Sequence, residues 1–241
     1  MVPAAKGRER KSIMRKEKKY EELQFTDDFM FCKVLENNED ICRELLELIL
    51  GKKIRRIEYL ANQKQIDVTS DGKGVRLDVY LEDDDNTVFD LEMQTTVKKD
   101  LPKRTRYYQG MIDLNLIERG AAYSELKKSY IIFICMQNPF RGKDRHLYTF
   151  ENRCNECDGL LLGDESTKVI LTPDGSADDV SDDLSDFLCY LAGKGGDSPF
   201  VRRLDAAVGR AREKEEWRME YMTLFMRDRE KAEKGRLYGI N

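Results

Sequence analysis

Residues 130–135 read Tyr-Ile-Ile-Phe-Ile-Cys, a run the length of one strand without a single charged side chain. A strand with one face in water alternates apolar and polar residues, so a strand apolar on both sides has to be covered on both sides. That requirement points to an α/β protein in which helices cover a sheet. The flanking segments offer the parts. Thr26 can cap a short helix carrying Asp27 and Asp28 in its first turn, with Phe29, Met30, Val34 and Leu35 as its apolar side. Residues 39–50 repeat apolar positions at Ile41, Leu45, Leu48 and Ile49, with Gly51 as the stop. Residues 54–60 read as a first strand. From Val75 to Leu81 the alternation puts Val75, Leu77, Val79 and Leu81 on one face and Arg76, Asp78 and Tyr80 on the other. A turn at Asp83-Asp84-Asp85-Asn86 leads into a returning strand, 88–94. Pro102 opens a helix over 103–119 that Gly120 stops. Past Asn138-Pro139, short strands are expected at 147–150 and 169–171, and a helix at 182–191. A final helical segment starts at Ser198-Pro199, contains Trp217 and runs to about residue 234.

Composition closes off several function classes. The chain has 241 residues, 40% hydrophobic and 37% charged, enough for one sizeable core or two small ones. No apolar run approaches the roughly 18–20 residues of a membrane span, and residues 1–20 lack the apolar stretch of a signal peptide. The six cysteines are scattered, so they read as reduced thiols of a cytoplasmic protein. Cys154 and Cys157 have zinc-like spacing, but no second such pair exists. His146 is the only histidine, which removes most His-based zinc sites and Ser-His-Asp or Cys-His catalysis. The net charge of −4 is uneven: residues 1–20 hold eight Lys/Arg against Glu9 and Glu17. Such a basic arm either touches phosphate backbone or is a solvated, disordered tail.

The chemistry concentrates on the hairpin. A period of two puts Asp90, Glu92 and Gln94 on one face of their strand and Phe89, Leu91 and Met93 on the other. With Asp78 on the preceding strand, two carboxylates facing each other make a hard-oxygen site suited to Mg²⁺. A metal there polarises a phosphoryl oxygen and lowers the pKa of bound water, as phosphodiester hydrolysis requires.

At these residues the chain resembles the PD-(D/E)XK nuclease superfamily. Within it, the chain resembles the bacterial recombination-promoting nucleases, also called PD-(D/E)XK family transposases. The matching elements are Thr26-Asp27-Asp28-Phe29-Met30-Phe31, Arg76-Leu77-Asp78-Val79-Tyr80 and Asp90-Leu91-Glu92-Met93-Gln94. They continue with Arg104-Thr105-Arg106-Tyr107-Tyr108-Gln109 and Tyr130-Ile131-Ile132-Phe133-Ile134, then Tyr148-Thr149-Phe150-Glu151 and Glu216-Trp217-Arg218. The ordered set spans roughly residues 24–236 and is far more specific than Asp-x13-Glu-x-Gln alone.

The resemblance implies a restriction-endonuclease-like α/β core of order α-β-β-β-α-β, a central mixed sheet flanked by helices, with a helical C-terminal extension. The expected division is an arm over 1–20, a nuclease core over 21–172 and the extension over 173–241. The implied metal site is Asp78 and Glu92, with the Met93 carbonyl as a further ligand for Mg²⁺, Mn²⁺ being a possible substitute. Gln94 stands where the superfamily name has lysine. A lysine places a cation beside water or phosphate, whereas an amide orients them only by hydrogen bonds. An acid on the first core helix is also implied, and Glu44, flanking the Ile41–Leu45–Leu48 stripe, is the choice. Arg104, Arg106 and Gln109 on the second core helix either meet phosphates or solvate that helix. The function expected is Mg²⁺-dependent hydrolysis of DNA by an endodeoxyribonuclease, working singly or as a homodimer. The alternative is a weak or inactive nucleic-acid- or protein-binding module that keeps the fold.

Overall fold

The computed structural model describes residues 18–66 and 74–238. The basic arm expected over 1–20 therefore lies mostly outside the described residues. Its end does not: Tyr20 is buried, and its hydroxyl donates to the Ala211 carbonyl at 2.6 Å.

Six strands form one mixed sheet: β1 (Ile57–Ile66), β2 (Val75–Asp83), β3 (Val88–Gln94), β4 (Ser129–Cys135), β5 (Leu147–Phe150) and β6 (Ser166–Leu171), in the order β1-β2-β3-β4-β6-β5. β1, β2 and β3 are an antiparallel meander, β4 lies parallel to β3, β6 parallel to β4, and β5 closes the edge antiparallel to β6. The apolar strand is the central β4, buried along nearly its whole length. Its parallel pairing with β3 demands a crossover, which α3 (Leu101–Leu116) supplies on one face. There Leu101, Met111 and Ile112 pack with Tyr80, Ile131, Phe133 and Ile170 in the smaller of two cores. The other face carries the larger core, built by α1 (Asp28–Glu36), α2 (Glu39–Leu50), α4 (Asp182–Leu191), α5 (Pro199–Arg212) and the start of α6 (Glu215–Tyr238). This is the restriction-endonuclease-like arrangement the sequence implied. Among the described residues no helix is long and apolar enough to cross a membrane.

Several boundaries differ from the sequence reading for identifiable reasons. Asp27, not Thr26, occupies the N-cap of α1, held from outside by Lys18 at 2.7 Å and by the Gln24 N–H at 2.8 Å. β1 begins at Ile57 and continues through polar residues to Ile66, because a strand paired along β2 needs no apolar alternation to be fixed. α3 ends at Leu116, and Gly120 sits in the turn beyond, at φ 90°.

The final helix is two helices, broken at Glu213 and Lys214 with neither glycine nor proline. The Tyr20 hydroxyl and the Lys214 N–H both bond the Ala211 carbonyl, satisfying a helix-end acceptor so that α6 can turn and bury Trp217. β2 departs most from its pattern. Val75 and Leu77 pack with Tyr80 in the smaller core, while Val79 and Leu81 join the larger one. The facing changes at Asp78. On β1 the pairs Asn62↔Val79 and Lys64↔Leu77 flank Gln63, which is forced to φ 46°, so the ladder is irregular on that side too.

Because Leu204, Ala207 and Val208 of α5 belong to the same core as Val79, Leu91 and Ile132, the C-terminal helices are integral to the fold. Leu204→Ala should lower the unfolding free energy by about 2–4 kcal/mol in one cooperative transition. Urea denaturation followed by far-UV circular dichroism and by Trp217 fluorescence tests this. An unmoved main transition would mean that the extension folds apart from the sheet.

Candidate active site

β2 and β3 pair from Glu82↔Val88 to Val79↔Leu91 and no further. Beyond that point the strands part, and side chains replace the ladder. The Asp78 N–H donates to Glu92 Oε1 at 2.9 Å, and the Met93 N–H donates to Asp78 Oδ2 at 3.2 Å. Each carboxylate thus satisfies a backbone donor on the opposite strand, which fixes both at the mouth of an open cleft of about 590 Å³. The cleft wall also includes Asp28, Arg76, Met93, Gln94, Lys98 and Arg104. α1 supports the site from below, where Cys32 Sγ donates to the Asp78 carbonyl at 3.4 Å.

The electrostatics are dominated by burial. Asp78 is 8% exposed, Glu92 4% and Asp90 0%. Burial and the nearby Asp28 charge push the Asp78 carboxyl up to about 6, although the Met93 N–H, Arg76 and Arg104 oppose the shift. Burial, then the charges of Asp90 and Asp78, raise Glu92 well above the carboxylate range. Burial and the Asp78 charge do the same to Asp90, which is fully enclosed. The cation in contact with this group is Arg104, whose guanidinium lies 3.6 Å from Glu92 Oε2, donates to Gln94 Oε1 and reaches the Tyr108 hydroxyl at 3.0 Å.

A divalent cation fits this donor set. Asp78 and Glu92 bring hard carboxylate oxygens together at the cleft, the donor chemistry that Mg²⁺ takes. Among the described residues no group of three His, Cys, Asp or Glu side chains forms a ready metal cage. Mg²⁺ does not need one, since it commonly keeps several waters beside one or two carboxylates.

The residues named from the sequence are brought together unevenly. Asp78, Glu92, Met93, Gln94 and Arg104 share the cleft. Glu44 does not join them: it pairs with Arg203 on α5, because its turn of α2 faces the C-terminal helices. Arg106 points to the other flank of α3, into a cavity of about 370 Å³. Gln109 is held by Asp113 and the Ser129 hydroxyl, tying α3 to β4. Gln94 has its own amide engaged, accepting from Arg104 and donating to the Thr96 carbonyl at 2.8 Å. Asp28, Arg76 and Lys98 of the cleft, and the enclosed Asp90 beside Glu92, had no role assigned from the sequence. Asp28 looked like a helix-end residue, Arg76 lay within the matched Arg76–Tyr80 segment, and Lys98 gave no signal. Asp90 shared a face with Glu92, yet nothing indicated that it would be fully enclosed.

A family model described as a PD-(D/E)XK nuclease family transposase matches residues 25–155, a span that contains every cleft residue named above. No curated protein and no solved structure matches the chain.

The raised carboxyls set a pH dependence. Folded protein holds protons that unfolded chain has released, so without metal their contribution to stability falls as pH rises from about 3.8 through about 6 for Asp78. Asp90 and Glu92 extend the decline to higher pH. Asp90→Asn should flatten the decline relative to wild type. Urea denaturation in EDTA at several pH values measures the two slopes, and equal slopes would refute the assignment.

Proposed function

This chain belongs to the PD-(D/E)XK nuclease family transposases, and from that premise we propose that it is a metal-dependent endodeoxyribonuclease. The observation that carries the reading is the cross-bonded pair Asp78 and Glu92 at the parted end of β2 and β3, open to a cleft.

In this reading Asp78 and Glu92 hold Mg²⁺, or Mn²⁺ in its place, with the Met93 carbonyl as a further ligand. The cation, when bound, polarises a phosphoryl oxygen of DNA and lowers the pKa of water. The chain's own residues do the rest. Asp78 and Glu92 lose their residual protons as the site is filled. Arg104, Arg76 and Lys98 give the cleft wall the positive charge that a phosphodiester needs. The Gln94 amide spans Arg104 and Thr96. We assign it the task of aiming Arg104, so that a guanidinium on α3 stands in for the lysine of the superfamily name. One chain has one such cleft among the described residues, so cutting both strands takes a homodimer or two successive nicks.

Incubation of supercoiled plasmid with Mg²⁺ or Mn²⁺ tests the proposal. Wild type should nick or linearise it, and Asp78→Ala should lose about 100-fold or more, the scale of several kcal/mol of charge stabilisation. Gln94→Ala should slow single-turnover cleavage about tenfold while leaving metal affinity nearly intact, because it releases Arg104 rather than a ligand. Cleavage by Asp78→Ala at the wild-type rate would exclude this site. A wild type that cleaves nothing but binds DNA would favour the alternative of an inactive binding module, which the missing lysine keeps open.

A further inference from the structure

Beside the acid cleft runs a second, larger groove of about 1190 Å³, between the start of α3, the loop after β4 and the strand β5. Lys98 lines both, so the two adjoin. The charge of the groove is one-sided. Lys98, Lys99, Arg141 and Lys143 are exposed on its walls. Arg145 adds a fifth cation, already paired with Asp179 at 3.1 Å. No Asp or Glu lines it among the described residues, in a chain whose net charge is −4. Its floor is aromatic: Phe140 packs against Tyr148 at 4.7 Å and Phe150 at 5.4 Å, and Phe150 remains 44% exposed. Below it the 370 Å³ cavity shares Phe140 and Phe150 and adds Arg106 and Lys168.

We propose that this groove binds a single-stranded stretch of DNA next to the bond cleaved in the acid cleft, a reading that rests on the nuclease function proposed above. Cations without carboxylates suit a polyanion, and adjacency to the proposed phosphodiester site selects DNA over an acidic peptide. Rings select the strandedness. Duplex DNA hides its base faces in the stack, and rings on a concave floor cannot reach between its steps. An unpaired strand offers a face at every base, and stacking on aromatic side chains is indifferent to sequence. The substrate is therefore DNA with an unpaired segment beside the scissile phosphate, such as a tailed or forked end, held by its phosphates on Lys99, Arg141 and Lys143 and by a base on Phe150.

Fluorescence anisotropy of the full chain in EDTA, with a labelled oligothymidine, a blunt duplex and a tailed duplex, tests this. Oligothymidine and the tailed duplex should bind at least about fivefold tighter than the blunt duplex. Phe150→Ala should weaken oligothymidine binding about tenfold and change blunt-duplex binding by less than about twofold. Phe150→Leu, which keeps the packing volume without the π face, should do the same if the alanine variant proves unstable. The Lys99→Gln, Lys143→Gln double variant should lower the salt slope for oligothymidine by about 1.4. Equal affinity for oligothymidine and blunt duplex, or oligothymidine binding unaffected by Phe150→Leu, would overturn the proposal. Plasmid cleavage with Mg²⁺, run in parallel, separates the two readings. Cleavage without strand preference removes only the groove. Single-strand binding that depends on Phe150, without any cleavage, removes the nuclease and leaves the groove as a DNA site.

Discussion

The end of the β2–β3 ladder is the constraint on which the site depends. Where two antiparallel strands part, their N–H groups lose their partners, and a buried donor without an acceptor costs about 1–3 kcal/mol. The chain meets that demand with Asp78 and Glu92, each accepting from the strand opposite. The solution brings its own difficulty, because it sets two carboxyls beside the enclosed Asp90 with Arg104 as the contacting cation. The local structure is thus stable in two ways: with protons on some acids, or with a cation among them. The same hydrogen bonds that end the ladder hold the Asp78 and Glu92 carboxylates at the cleft. Cys32 beneath Asp78 and Tyr108 beyond Arg104 hold the two sides, so α1 and α3 are scaffolding for this one point.

How much of this is legible in the chain depends on whether the determining contact is local. β4 and α2 follow directly from residue pattern, since an unbroken apolar run and a 3.6-residue stripe each dictate their own covering. The acids Asp78 and Glu92 are legible because hairpin pairing is nearly local, fourteen residues apart. Leu77 shows where that ends: strict alternation assigns it to the face of Val79, and only the parting of the strands turns it the other way. The break between α5 and α6 is invisible for the same reason, as its cause is Tyr20, 191 residues before Ala211. Glu44 lies away from the cleft, and an amphipathic stripe says which face is inward without saying which element lies against each flank. Asp28 was in plain view among matched residues, but a helix-end acid has an ordinary explanation that hides a second one.

Gln94 illustrates a different lesson, that a substitution at a named position cannot be judged at that position alone. Read by itself, an amide where a relative has lysine removes a cation from the cleft. With Arg104 bonded to its oxygen, the cation is present and is delivered from the helix instead of the strand. A guanidinium keeps its charge across the whole working range, so it can neutralise phosphate but cannot act as a base. Proton removal from an attacking water then falls to something other than this residue. In the proposed nuclease that shift would place more weight on a cation held by the two carboxylates than a lysine in place would.

The distribution of charge outside the cleft follows from the same economy of sign. A protein of net charge −4 that handles a polyanion has to concentrate its cations where the polyanion lies, since long-range attraction is not available from the surface as a whole. The described groove does so with Lys98, Lys99, Arg141 and Lys143 on one path leading to the acids. The arrangement is self-consistent only if the two regions fill together. Phosphates on the groove would meet bare carboxylates at the cleft and be repelled, while a cation held by Asp78 and Glu92 reverses that field and adds to the attraction of the lysines. In the proposed function, metal and nucleic acid are then coupled ligands. Each raises the affinity for the other by the same factor, and the origin of that coupling is the group of buried acids at the end of one β-ladder.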